Sequence, residues 1–257
     1  MGRAAAVLSV RAAAFAVLAG TLAAYYATAR SWPNVSTWWD VVILALGVVP
    51  AVFALVYVAL PFWRSPAVQL VAIAASLGAA AAAFQHEGLI SIASFAKLGA
   101  AAAVAFVFRT VFESASWVAL IAALIPWVDA YSVFWGPTSK ILEHPKGISA
   151  LSFGFPVPGE HGSASLGLPD LLFFSLFLAA AARFRLRPGL TFVLMAASFG
   201  VTTALAAWTD RALPATPLLS VGFLAANGDL LWREVRRRPP TVEPAGSPSE
   251  RGPARAD

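Results

Sequence analysis

The chain has no cysteine. That excludes disulfides, thiolate metal sites and cysteine nucleophiles. Histidine is nearly as scarce. The three present, His86, His144 and His161, contain no HExxH spacing, which excludes the zinc-peptidase helix. Charge is sparse too: 12% of residues, against about 25% in ordinary soluble domains. Apolar residues fill the space, at 59% of the chain with a mean hydropathy of +0.74. A sequence this apolar reads as an all-α polytopic membrane protein with the lipid bilayer as its environment. The net charge of +5 comes from Arg gathered at the ends of apolar runs. No basic surface is interleaved with aromatics, so no nucleic-acid partner is expected. Usage rich in Ala, Arg and Gly resembles that of a high-GC prokaryote and points to a prokaryotic plasma membrane.

A membrane-crossing helix needs about 20 apolar residues. Eight runs are read as spans: 5–28, 41–61, 67–85, 89–108, 115–136, 166–182, 189–208 and 213–232. The first carries Arg3 ahead of it and Ala27-Thr28-Ala29 at its end, as a cleaved signal peptide would. Its length, and Arg11 inside it, favour a retained helix. With both termini cytoplasmic, the inner side receives Arg3, Arg64, Arg109, Arg183, Arg185, Arg187, Arg233 and Arg236 to Arg238. The outer side receives only Arg30, Lys140, Lys146 and Arg211, the positive-inside pattern. The organisation expected is four helices in 1–114, four more in 115–232 with a long outer loop at 137–165, and a cytoplasmic tail at 233–257. The tail is Pro/Glu/Ser/Arg-rich from Pro239 onward and is expected to be disordered. Within the outer loop, residues 148–155 alternate enough for a short strand.

Two carboxylates fall inside this apolar sequence. Asp129 lies near the outer end of the fifth span and Asp170 near the outer start of the sixth. At 1.5 Å per residue their depths are about 10 Å and 6 Å, so consecutive helices can turn them toward each other. An ionisable group at such depth is costly and marks function by default. Two carboxylates sharing a site keep one proton between them. The ionised one can take a proton from water while the other polarises a peptide carbonyl, which hydrolyses peptides without a covalent intermediate. The simpler role for each is to cap a helix or pair with a base. Lys97, in the fourth span at similar depth, reads as a structural pair or a snorkelling side chain. The alternative role is a salt bridge to one of the two Asp. Asn227 and Asp229 are expected at the inner interface, and Trp38, Trp39, Trp63, Trp208 and Trp232 as interface anchors. His144 and His161 are expected to be solvated loop residues, and the Gly/Ala pairs of spans three and four to serve close packing.

Asp129-Ala130-Tyr131-Ser132-Val133-Phe134 resembles the first-aspartate motif of the presenilin and signal peptide peptidase superfamily, the GxGD-type intramembrane aspartic proteases. Leu166-Gly167-Leu168-Pro169-Asp170 resembles its GxGD motif, and Pro214-Ala215-Thr216-Pro217 its PAL motif. Their order and spacing match across residues 115–232, and the expected topology brings all three to the outer face. The family usually has nine spans, one more than the eight here. Three positions depart: Val128 where Tyr is common, Pro169 for the second Gly of GxGD, and Thr216 for the Leu of PAL. The resemblance implies a presenilin-like bundle and an endopeptidase with Asp129 and Asp170 as its dyad. It implies a substrate-binding surface from Gly167, Leu168, Pro169, Pro214, Ala215, Thr216 and Pro217. Transmembrane helices or signal peptides would be the substrates, with no metal or organic cofactor. The same Asp pair also suits a transporter or proton relay, or an inactive relative that binds helices. The oligomeric state stays open.

Overall fold

The computed structural model describes residues 2–108, 110–134, 151–209 and 213–237. It is mostly helical, as an all-α membrane protein is. Six segments in that set are long and apolar enough to cross a membrane: Ser9–Ser31, Thr37–Arg64, Ala67–His86, Ile90–Phe108, Ala115–Ser132 and Pro188–Thr209. The helices are α1 (Gly2–Thr28), α2 (Thr37–Ile43), α3 (Val49–Ala59), α4 (Ala67–His86), α5 (Ile90–Phe108), α6 (Ala115–Phe134), α7 (Leu168–Arg183), α8 (Pro188–Thr209) and α9 (Thr216–Arg237). α7 and α9 stand where the sixth and eighth spans were expected. α7 has only 16 residues, and α9 carries Asp229, Arg233, Glu234, Arg236 and Arg237 toward its end. Length and composition alone therefore do not mark these two as spans.

α2 and α3 form one rod, joined by a π turn at Leu44–Val48. Pro50 is the second residue after it. Proline has no N–H to give and its ring crowds the carbonyl four residues back, here that of Leu46. A locally wider turn relieves both.

α7 runs through the middle of the bundle. From Phe174 to Ala181 every side chain is buried, so this helix is apolar on all sides. Phe174 stacks on Phe53 of α3 with ring centres 3.9 Å apart, and Phe199 of α8 meets Phe53 edge-on at 5.5 Å. One turn along α7, Phe177 stacks on Phe223 of α9 at 4.8 Å. α5 packs along another side of α7, and α4 lies outside α5. The expected close packing of spans three and four is found at Gly99, where a Cβ would come within 2.7 Å of Leu77 Cδ1. α6 is attached chiefly through α9. Large apolar side chains such as Leu46, Val68, Trp127 and Trp208 are exposed, as a lipid-facing surface requires.

A two-stranded antiparallel hairpin precedes α7: β1 (Ser152–Pro156) against β2 (Ser163–Gly167), with Phe153 opposite Leu166 and Ser152 opposite Gly167. The short strand expected at 148–155 is met from Ser152 onward; residues 137–150 lie outside the described set. The second strand was not expected, and it corrects the start of the sixth span: residues 166 and 167 are strand and the helix begins at Leu168. The hairpin is stitched to α1 and α5. Tyr25 donates to the Pro156 carbonyl and Tyr26 to the Gly154 carbonyl, both at 2.6 Å. The Gly154 N–H donates to Ser94 Oγ at 3.3 Å. At the hairpin tip Gly159 has φ +71°, and a Cβ there would sit 2.6 Å from the Asn34 nitrogen, so only glycine fits.

α9 continues through Arg237, so the segment expected to be tail from 233 is helix for its first five residues. The rest of the tail, His144, Lys140, Lys146 and Arg211 lie outside the described residues.

Candidate active site

Asp170 is the third residue of α7, and Gly167 is the N-cap. In that register the carboxylate folds back onto the Gly167 N–H, the acid half of a capping box. The simple capping role is thus realised, but it accounts for one contact of three. The Thr216 hydroxyl donates to Asp170 Oδ1 at 2.7 Å, and the Thr216 N–H also donates to the carboxylate. Thr216 opens α9, so that N–H belongs to the unsatisfied, positive end of the helix. Gly167 is small for a reason: a Cβ there would lie 2.9 Å from Asp170 Oδ2. Pro169 sits in the first turn, where a missing N–H removes no helical bond.

Asp129, on α6, lies near enough to the same hydroxyl and to Asp170 to act on both electrostatically. Both carboxylates are partly buried. The structure therefore brings the two predicted aspartates to one point. The means differs from the expectation that α6 and α7 face each other directly. α6 and α7 touch only lightly, and the start of α9 joins them.

The other predicted positions gather nearby. Pro214 and Pro217 flank the start of α9, and Ala215 is buried with its carbonyl accepting the Leu219 N–H at 3.0 Å. Leu168 packs against the core, while Pro169 is exposed. Val128 faces outward, 62% exposed. Sequence reasoning gave Thr216 a place in the substrate-binding surface and read it as a departure from a motif; in the structure its hydroxyl binds Asp170, with Asp129 near it. The available signal was a hydroxyl at the first turn of a span, at the depth of both carboxylates. Ser220, one turn further along α9, is buried with no hydrogen-bond partner for its Oγ among the described residues.

Lys97 is buried on α5, and its ammonium reaches the Ser152 carbonyl at 3.4 Å. Ser152 pairs with Gly167, so Lys97 holds β1, the strand on which the strand leading to Asp170 is built. His161 is exposed, as expected. Asn227, expected at the interface, is instead fully buried: it donates to Thr191 Oγ1 at 2.8 Å and accepts from the Arg187 N–H at 3.0 Å. Asp229 is exposed and forms a bidentate pair with Arg187, both contacts at 2.8 Å. Among the described residues no group of three or more His, Asp or Glu could hold a metal ion.

No family model matches the chain, and comparisons with curated proteins and with solved structures find no significant match.

Proposed function

We propose that this chain is an intramembrane aspartic endopeptidase, a divergent relative of the presenilin and signal peptide peptidase superfamily, with Asp129 and Asp170 as its dyad. The observation that carries the reading is the Thr216 hydroxyl set between two carboxylates from separate helices. All eight helical rods span the membrane in this reading. Both termini are cytoplasmic, and the dyad lies toward the outer face, since the Arg-rich ends then fall inside.

The chemistry balances without a cofactor. The ionised carboxylate takes a proton from water as the water oxygen bonds to the peptide carbonyl carbon. The protonated partner gives its proton to the carbonyl oxygen, leaving a neutral gem-diol. Collapse breaks the C–N bond: one carboxyl gives its proton to the departing amine while the other takes a proton from a diol hydroxyl, which restores the starting pair. A helical peptide bond is shielded from attack, so the substrate must be locally extended. β2 supports this: it ends three residues before Asp170, and its edge away from β1 has no strand partner among the described residues.

The test is cleavage of a panel of single-span substrates in liposomes by wild type, Asp129→Asn and Asp170→Asn. Loss in both variants with the fold intact supports the proposal. Retained cleavage in both overturns it. Proton flux without cleavage in the same liposomes would move the assignment to a relay.

A further inference from the structure

A cavity of about 260 Å³ opens at the other end of the helices that carry the dyad. Its apolar walls include Ala115 at the start of α6, Phe184 after α7 and Leu230 near the end of α9. Two cations, Arg185 and Arg233, line it, with Glu234 as the opposing charge. Arg185 has φ +54°, in the left-handed region that a side chain this size rarely adopts. Arg183 lies over the Phe184 ring at 5.1 Å, and its Nη1 is buried with no hydrogen-bond partner among the described residues. Two arginines thus line the pocket, one of them held in a strained backbone, and Arg183 with its unused buried donor stands two residues before it in sequence.

We infer that this cavity binds a phosphate-bearing anion, either the headgroup of an anionic phospholipid or free phosphate. A guanidinium fork matches phosphate oxygens two at a time, which a lysine does not. Basic pockets between helices at a membrane face hold lipid headgroups in this way, and the apolar walls suit the glycerol that follows the phosphate. The walls come from the helices that bear Asp129, Asp170 and Thr216, so an occupant ties their far ends together.

The full chain, purified into phosphatidylcholine nanodiscs, tests this with two probes. One is phosphatidylglycerol at rising fraction, with retained lipid counted by native mass spectrometry. The other is inorganic phosphate against chloride at equal ionic strength, read as thermal midpoint. Wild type should retain phosphatidylglycerol over phosphatidylcholine. Arg185→Gln and Arg233→Gln should each weaken retention by about fivefold, and Glu234→Gln should tighten it. A midpoint raised by phosphate alone assigns the free anion; a response to phosphatidylglycerol only assigns the lipid. Equal retention of both lipids with no phosphate response overturns the site, as do variants that bind like wild type. Should Arg185→Gln fail to fold, the exposed Arg233→Gln and Glu234→Gln decide the matter. None of these readouts depends on proteolysis.

Discussion

The Thr216 hydroxyl donates to Asp170 Oδ1 at 2.7 Å, across 46 residues of sequence. This contact joins α7 to α9, and Asp129 on α6 stands near the same hydroxyl. Thr216→Val keeps the shape and removes the hydroxyl. A hydrogen bond to a charged group is worth about 1.5–3 kcal/mol, so cleavage should fall by roughly 10- to 100-fold. Thr216→Ser should keep most of the activity. Rates for both variants on one substrate in liposomes check this; a Val variant as fast as wild type would remove Thr216 from the site.

Asp129→Asn and Asp170→Asn should each abolish cleavage, and the double variant should lose no more than either alone, since the pair acts as one unit. The wild-type rate should follow a bell-shaped pH profile. Its two apparent pKa values would describe the pair rather than either residue. Additive partial losses would contradict a shared proton.

The hairpin predicts a separation of stability from chemistry. Lys97→Met removes the contact to the Ser152 carbonyl, and Tyr26→Phe removes the 2.6 Å bond to the Gly154 carbonyl. Each should cost about 1 kcal/mol, or about 2–4 °C in the unfolding midpoint for a chain of this size. The pH profile should stay in place. A displaced profile with an unchanged midpoint in Lys97→Met would show that Lys97 tunes the aspartates.

The fourth and fifth helices could be read almost to the residue: 67–85 against Ala67–His86, and 89–108 against Ile90–Phe108. Lys97 is the only charge in either run, and Pro66 and Gly88 punctuate them locally. β2 could not be read in this way. Ser163-Ala164-Ser165-Leu166-Gly167 has weak strand preference by itself and becomes a strand by pairing with Phe153 and Phe155. The π turn ahead of Pro50 is a backbone answer to one residue inside a run that otherwise reads as a plain helix. Asp129 and Asp170 were visible because a carboxylate in apolar sequence stands out. Thr216 was picked out only as part of a substrate-binding surface, and Asn227 only as interfacial, because an uncharged polar residue discloses its role only through what packs against it.

Reporter fusions check the proposed orientation. Fusions at the hairpin tip, beside Gly159, should report the outer side, and fusions after Arg237 the cytoplasm. A cytoplasmic signal from the hairpin would invert the topology and place the aspartates toward the inner face.

Gly167 and Pro169 flank one residue and predict opposite outcomes. A Cβ at 167 would stand 2.9 Å from Asp170 Oδ2 and 3.6 Å from Pro169 Cδ. Gly167→Ala must therefore push the carboxylate off the Gly167 N–H or off Thr216, and cleavage should fall sharply while the helix, already capped, stays folded. Pro169 donates nothing to Asp170, whose donors are Gly167 and Thr216. Pro169→Gly restores the residue usual in GxGD, yet it should change cleavage by less than about tenfold, because glycine in a helix costs only about 1 kcal/mol. Initial rates and midpoints for the two variants decide between two accounts of the motif. If Pro169→Gly raises activity by orders of magnitude, the proline blocks the path of the substrate backbone, and Asp170's own contacts do not set the rate. If Gly167→Ala leaves the rate unchanged, the carboxylate works elsewhere than where the structure holds it.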